Sequence, residues 1–153
     1  MAIQMGDKIP EFSLKNQNGD DFSISSLIGR KVLVIYFYPK DYTPGCTKEA
    51  CSFRDSYEVF KTMDAEVIGI SDDSVSRHLK FSKTYKLPFI LLSDSSNKVR
   101  KLFGVPGNLL GLIPGRVTYV VDKKGVVVLI FDSMNASTHI KKAKESIGKL
   151  QNL

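Results

Sequence analysis

The residue types best equipped for chemistry are the only two cysteines, Cys46 and Cys51, in the run Tyr36-Phe37-Tyr38-Pro39-Lys40-Asp41-Tyr42-Thr43-Pro44-Gly45-Cys46-Thr47-Lys48-Glu49-Ala50-Cys51. After them, Ala50, Phe53, Tyr57 and Phe60 recur every three or four residues, which predicts an amphipathic helix beginning near Cys46. A cysteine where a Gly-containing loop becomes a helix meets unpaired backbone N–H groups and the positive end of the helix dipole. Both favour the nucleophilic thiolate. Thr43, three residues upstream, can donate a hydroxyl hydrogen bond, and the neighbouring loop amides can hold an anion. The ordinary alternative is a buried, inert thiol.

Cys51 lies five residues along the same predicted helix. Regular helix geometry puts the two Cα atoms roughly 8.7 Å apart, beyond the limit of about 6.8 Å for a disulfide. A bond between them therefore requires the first turns to unwind, and the reduced and oxidised forms should differ in structure. The competing reading of Cys51 is a small core residue. With 2 cysteines and 2 histidines the chain has neither a disulfide scaffold nor a Cys-rich structural zinc site, so any special chemistry rests on the pair. His78 and His139 lack a local partner pattern and read as surface residues. Arg54, eight positions after Cys46, reads as a structural ion-pair partner.

The elements that must hold this run are legible from pattern. Residues 12–14 and 22–24 flank the turn-forming Asn16-Gln17-Asn18-Gly19-Asp20, predicting an N-terminal hairpin. Val32-Leu33-Val34-Ile35-Tyr36-Phe37 is the continuous apolar signature of a strand covered on both faces, ended by Pro39. Val67-Ile68-Gly69-Ile70 is a second buried strand, and Ser71-Asp72-Asp73-Ser74 supplies N-cap candidates for a helix to about Tyr85. A strand at 89–92, a short helix at 97–103, a hairpin at 117–121 and 126–131, and a helix at 137–150 follow. The order predicts an α/β fold with a central mixed sheet flanked by helices, as one domain over residues 1–153. Residues 104–115, apolar but rich in Gly and Pro, read as a loop that covers something.

Composition narrows the classes further. At 42% hydrophobic and 25% charged, the 153-residue chain is neither low-complexity nor of a disordered type. The formal charge of +6 admits a nucleic-acid or membrane-surface partner. However, the lysines are scattered, and the densest group, Lys141, Lys142, Lys144 and Lys149, reads as a solvated helix face. The longest apolar run, 32–38, is about a third of a membrane span. No signal or transit pattern opens the chain, so the expected address is cytoplasmic, with an organellar stroma or matrix as the alternative for a processed form.

Pro39-x-x-x-Thr43-x-x-Cys46 resembles the active-site motif of the peroxiredoxins, thiol peroxidases with a thioredoxin-like fold. A second cysteine five positions on is similar to the bacterioferritin comigratory protein, or peroxiredoxin Q, subfamily. The resemblance extends from Gly6-Asp7-Lys8-Ile9-Pro10-Glu11-Phe12 through the strand before Pro39 and Phe53-Arg54-Asp55 to Pro114-Gly115-Arg116-Val117-Thr118-Tyr119-Val120-Val121-Asp122-Lys123-Lys124-Gly125. It implies that Cys46 is the peroxidatic cysteine and Cys51 the resolving one. It further implies that Thr43 and Arg116 align the peroxide and stabilise the thiolate, that Pro39 shields the pocket, and that Glu49 orients Arg116. Hydrogen peroxide or an organic hydroperoxide would oxidise Cys46 to a sulfenic acid, and condensation with Cys51 would give an intramolecular disulfide. Thioredoxin or a glutaredoxin would restore both thiols. That cycle needs no metal, flavin or haem, no nucleic acid and no membrane, and a monomer suffices for it.

Two other readings are compatible with the sequence. A dithiol oxidoreductase acting on protein disulfides would share the fold, although Cys-x-x-Cys is absent. A non-catalytic binding or holdase-like protein would use the basic surface or the 104–115 loop. That loop runs into Arg116, so it is expected to wall the substrate pocket or dock the reductant.

Overall fold

The computed structural model describes residues 2–106 and 115–151. Its organising element is β3 (Val32–Phe37), with all six residues buried. Because side chains alternate along a strand, Val32, Val34 and Tyr36 enter one apolar cluster while Leu33, Ile35 and Phe37 enter the other. A strand apolar along both faces, with Tyr36 its one side chain carrying a hydroxyl, has no face to give to water, which places it inside a sheet covered on both sides.

β3 pairs parallel with β4 (Ala65–Ser71) and antiparallel with β6 (Val117–Val121). β5 (Ile90–Ser93) continues the parallel half beside β4, and β7 (Val127–Asp132) pairs antiparallel with β6 at one edge. The hairpin of β1 (Ser13–Asn16) and β2 (Asp21–Ser23) closes the other edge, giving the seven-stranded order β2-β1-β5-β4-β3-β6-β7. One face packs on α1 (Pro44–Asp55), α2 (Tyr57–Thr62), α3 (Val75–Tyr85) and α5 (Ala136–Gln151), through Phe53, Phe60, Phe81 and Ile147 among others. The other carries α4 (Lys98–Phe103) and the N-terminal segment, through Val99, Phe103, Ile9 and Phe12. The expected mixed sheet, its flanking helices and its N-terminal hairpin are all present. No helix among the described residues is long and apolar enough to cross a membrane.

Two differences from the sequence reading are structural. The helix expected to run from near Cys46 through Phe60 is two helices, divided at Ser56, whose φ of −99° and ψ of 1° end α1. The apolar spacing continues through the break, so periodicity alone cannot reveal it. The turn lets Phe60 enter the core and Tyr57 donate its hydroxyl to Glu66 Oε1 at 2.8 Å. Residues 107–114 of the apolar loop lie outside the described residues, and with them the expectation that it walls the pocket.

The seat of α1 depends on a close approach in the sheet. Tyr36 stacks on Phe53 of α1 with ring centroids 4.7 Å apart. Gly69 on β4 opens the space for that ring, since a Cβ there would lie 2.8 Å from Tyr36 Cζ and 2.9 Å from Leu91 Cδ2. Gly69→Ala should therefore cost about 1–3 kcal/mol through overpacking. A chemical-denaturation midpoint well below that of the parent is the expected reading, and an unchanged midpoint would show the contact to be slack.

Candidate active site

Local chain geometry builds the site from the end of β3. The Thr43 backbone is extended (φ −75°, ψ 149°) and caps α1, with Pro44 in the first turn, where its missing N–H is no loss. The first bond into the helix runs from the Thr47 N–H to the Thr43 carbonyl at 2.9 Å, so the amides of Gly45 and Cys46 precede the helical ladder. The Cys46 thiol therefore sits in the first turn, buried to 1% exposure.

Arg116, immediately before β6, brings its guanidinium to this point. Nη2 lies 3.3 Å from Cys46 Sγ and Nη1 2.6 Å from Glu49 Oε1, with Arg116 itself only 3% exposed. Cys46 and Glu49 are three residues apart on α1 and so present their side chains on one face. Gly45 makes the approach possible: a Cβ there would lie 2.8 Å from Arg116 Nη2. Burial pulls the guanidinium pKa down, but the Glu49 carboxylate and the Cys46 thiolate together leave it above its ordinary value. For Glu49, burial pushes the carboxyl up to about 8 against the opposing pull of Arg116. Its second oxygen, Oε2, is buried without a hydrogen bond among the described residues and lies 3.6 Å from His139 Nδ1.

The structure brings Cys46, Glu49 and Arg116 into direct contact. It does not put the Thr43 hydroxyl on the sulfur: that group donates to the Lys40 carbonyl at 2.8 Å. Pro39 is half-buried in the same loop, and Cys51 is a half-buried free thiol one and a half turns further along α1. Arg54 pairs with Asp55 at 3.0 Å and donates to the Tyr85 carbonyl at 2.7 Å, in keeping with a structural role.

The two histidines correct the sequence reading, since neither is on the surface. Both are completely buried. His139 Nε2 faces the Ser133 carbonyl at 2.7 Å and Nδ1 the Thr118 hydroxyl at 2.7 Å. His78 lies between Asp41 and the Leu92 carbonyl. Their partners are distant in sequence, but Ala136, His139, Ile140, Ala143 and Ile147 form a buried helical stripe that could have flagged His139. Arg100 was also missed. It donates to the carbonyls of Tyr38 at 3.1 Å and Gly115 at 3.2 Å, tying the loop before Cys46 to the residue before Arg116.

Asp41, Asp73 and His78 have the residue types of a metal site, with ligand atoms within 4.8 Å of one another. Their atoms are already engaged. The Asp73 carboxylate accepts from the Ser71 hydroxyl at 2.6 Å and the Asp41 N–H at 2.8 Å and forms an ion pair with Arg77 at 3.0 Å, while both His78 nitrogens have oxygen partners. What the site offers chemically is a buried sulfur at a helix N-terminus beside one fixed cation, an arrangement that favours a thiolate and stabilises charge developing on a bound oxidant.

Comparison with known proteins places the chain in a family. Residues 5–130 match the AhpC/TSA family. Chloroplastic peroxiredoxin Q of Populus jackii is 54% identical over 151 residues, covering 99% of this chain and 70% of that protein. The Sedum lineare protein of the same name is also 54% identical, with 99% and 80% covered. Among solved structures, peroxidoxin BcpB from Mycobacterium tuberculosis superposes with a TM-score of 0.88 at 35% identity, covering 96% of this chain and 97% of that one. A Xanthomonas campestris bacterioferritin comigratory protein, described for alkyl peroxide reduction, superposes at 0.84 with 28% identity, over 94% and 98% of the two chains. With its thioredoxin-like fold and its buried thiol beside an arginine, the chain belongs to the AhpC/TSA family, in the peroxiredoxin Q group, and is a thiol peroxidase.

Proposed function

We propose that Cys46 is the residue oxidised by peroxide, Cys51 the thiol that resolves it, and Arg116 the cation that makes the attack fast. The observation that carries this reading is the 3.3 Å contact between Arg116 Nη2 and Cys46 Sγ. The Cys46 thiolate attacks the distal oxygen of a hydroperoxide, and an S–O bond forms as the O–O bond breaks. Water or an alcohol leaves after taking up a proton, and the sulfur becomes a sulfenic acid. Arg116 stabilises both the starting thiolate and the negative charge passing to the leaving oxygen. Thr43, whose hydroxyl proton is held by the Lys40 carbonyl, keeps oxygen lone pairs free to accept the peroxide O–H. Pro39 limits access of bulk water.

The Cys51 thiol then displaces hydroxide from the sulfenic acid, releasing water and forming the disulfide. The reductant is a dithiol of the thioredoxin or glutaredoxin type, which becomes oxidised as both cysteines return to thiols. Likeness to the Xanthomonas campestris protein, with its alkyl peroxide reduction, supports organic hydroperoxides as substrates beside hydrogen peroxide. Both cysteines lie in one chain, which supports a monomeric enzyme working as a single domain over residues 1–153. The chloroplastic names of the plant relatives support the organellar stroma over the cytoplasm as its address.

Glu49 orients Arg116 through Oε1, and a proton on Oε2 leaves that hydrogen bond intact. Its ordinary value is 4.5, and burial raises it to about 8 in the folded chain. Folded protein therefore holds a proton that unfolded chain has released, so the stabilisation is fully present below pH 4.5 and is lost as pH rises to about 8. Glu49→Gln should lose less stability than the parent between pH 5 and pH 8 in denaturant titrations. Equal losses in the two proteins would remove Glu49 from this role.

The catalytic assignment is tested by mass spectrometry after one equivalent of hydrogen peroxide. An intrachain Cys46–Cys51 disulfide is expected in the parent, a trapped Cys46 sulfenic acid in Cys51→Ser, and no turnover in Cys46→Ser. Two unmodified thiols in the parent would contradict it.

A further inference from the structure

A second polar cluster, lying away from the Cys46–Arg116 contact, holds the loop that leads to it. His78 Nε2 is 3.0 Å from the Leu92 carbonyl and Nδ1 2.6 Å from Asp41 Oδ2. A carbonyl only accepts, so Nε2 carries a hydrogen, and a further proton lies between Nδ1 and the carboxylate. Asp41 Oδ1 accepts the Tyr38 hydroxyl at 2.6 Å. The Asp41 N–H donates to Asp73 Oδ2 at 2.8 Å, and its carbonyl accepts from Arg77 Nη2 at 3.1 Å. Every polar atom of this buried aspartate is thus engaged, by partners on the β3 exit, the β4–α3 turn and α3. His78 extends the connection to β5.

The next residue shows what the anchoring sustains. Tyr42 has φ of 67°, a left-handed conformation that costs an L-residue with a bulky side chain roughly 1–2 kcal/mol. Its ring is held on α3 by Arg77, whose guanidinium carbon lies 5.3 Å from the centroid, and by Phe81 at 5.1 Å. The Tyr42 hydroxyl meets that of Thr84 at 3.1 Å. Asp41 and Tyr42 together fix where the chain arrives at Thr43, the cap of α1, and hence where the Gly45 and Cys46 amides stand.

We propose that His78, acting through Asp41, is a positioning residue for the peroxide site: the buried pair holds loop residues 39–43 so that Thr43 and the first amides of α1 meet the substrate. The proposal rests on the reading that Cys46 is the peroxide-reactive thiol. It separates two properties of the site. Arg116 supports the thiolate alongside the helix terminus and, among the described residues, makes its hydrogen bonds to Glu49 and Cys46 rather than to the pair, whereas the loop governs how the peroxide is held.

Asp41→Ala and His78→Leu test it by stopped-flow measurement of Cys46 oxidation and, separately, of Cys46 alkylation by iodoacetamide. Misplacing the loop should lower the peroxide rate at least about tenfold, with alkylation changed less than about threefold because Arg116 remains. Asp41→Asn should recover most of the peroxide rate, since its amide can donate to His78 Nδ1 and its carbonyl can accept from Tyr38. Parent-like peroxide rates in folded Asp41→Ala, or equal losses in both reactions, would overturn the proposal. If the buried variants do not fold, Arg77→Leu frees the Asp41 carbonyl from a side chain that is 42% exposed. A selective fall in the peroxide rate is again expected, and no fall would overturn the proposal. A parent protein that fails to react with peroxide would instead refute the assignment of Cys46.

Discussion

A buried guanidinium with two acceptors on one helix face couples the parts of this structure. Arg116 gives one nitrogen to Glu49 and another to Cys46, while its Nε is buried without a hydrogen-bond partner among the described residues. Stranding a buried charge by removing its partner costs about 3–5 kcal/mol. The position of α1 and the start of β6 therefore constrain each other. Glu49 and Cys46 both contact the Arg116 guanidinium. Burial pushes Glu49 toward its protonated form, and a neutral Glu49 leaves the arginine charge to the sulfur while keeping the orienting hydrogen bond.

The surrounding fold serves that contact through packing. β3 places Tyr36 under Phe53, and α5 buries Ile140, Ala143 and Ile147 in the same cluster as Cys46 and Ala50. Thr118 on β6 and His139 on α5 meet behind Glu49, so one wall of the carboxyl pocket is itself fixed by a hydrogen bond of 2.7 Å. Glu49 lies between the two cysteines in sequence. In the proposed cycle, unwinding α1 to join them would take Glu49 away from Arg116, so the disulfide would dismantle the site that made the sulfenic acid, and reduction would restore the Glu49–Arg116 hydrogen bond.

The sheet, its hairpins and most helices were legible because β3, β4, β6 and α5 carry strong apolar patterns. The division at Ser56 was not, since Phe53, Tyr57 and Phe60 keep helical spacing through it. Cys46 stood out by its place at a helix start, whereas the pairing of Arg116 with Glu49, 67 positions apart, came only from family resemblance. His78 was read as a surface residue, although it shares a buried stripe with Phe81 and Ser82 on α3, and Asp41 and Arg100 carried no signal because the partners that bury them are distant in sequence. Their partners lie 37 residues apart for His78 with Asp41, and 62 for Arg100 with Tyr38. Long-range partnership, rather than local pattern, decides what these side chains do.

The most direct measurement of the central claim is the second-order rate of Cys46 oxidation by hydrogen peroxide in Arg116→Gln. An amide at this position can still hydrogen-bond Glu49 but carries no charge. Losing an electrostatic stabiliser of the transition state should slow the reaction by about 10²–10³-fold, with far-ultraviolet circular dichroism unchanged. A rate within threefold of the parent would show that the helix terminus alone activates Cys46 and would contradict the account.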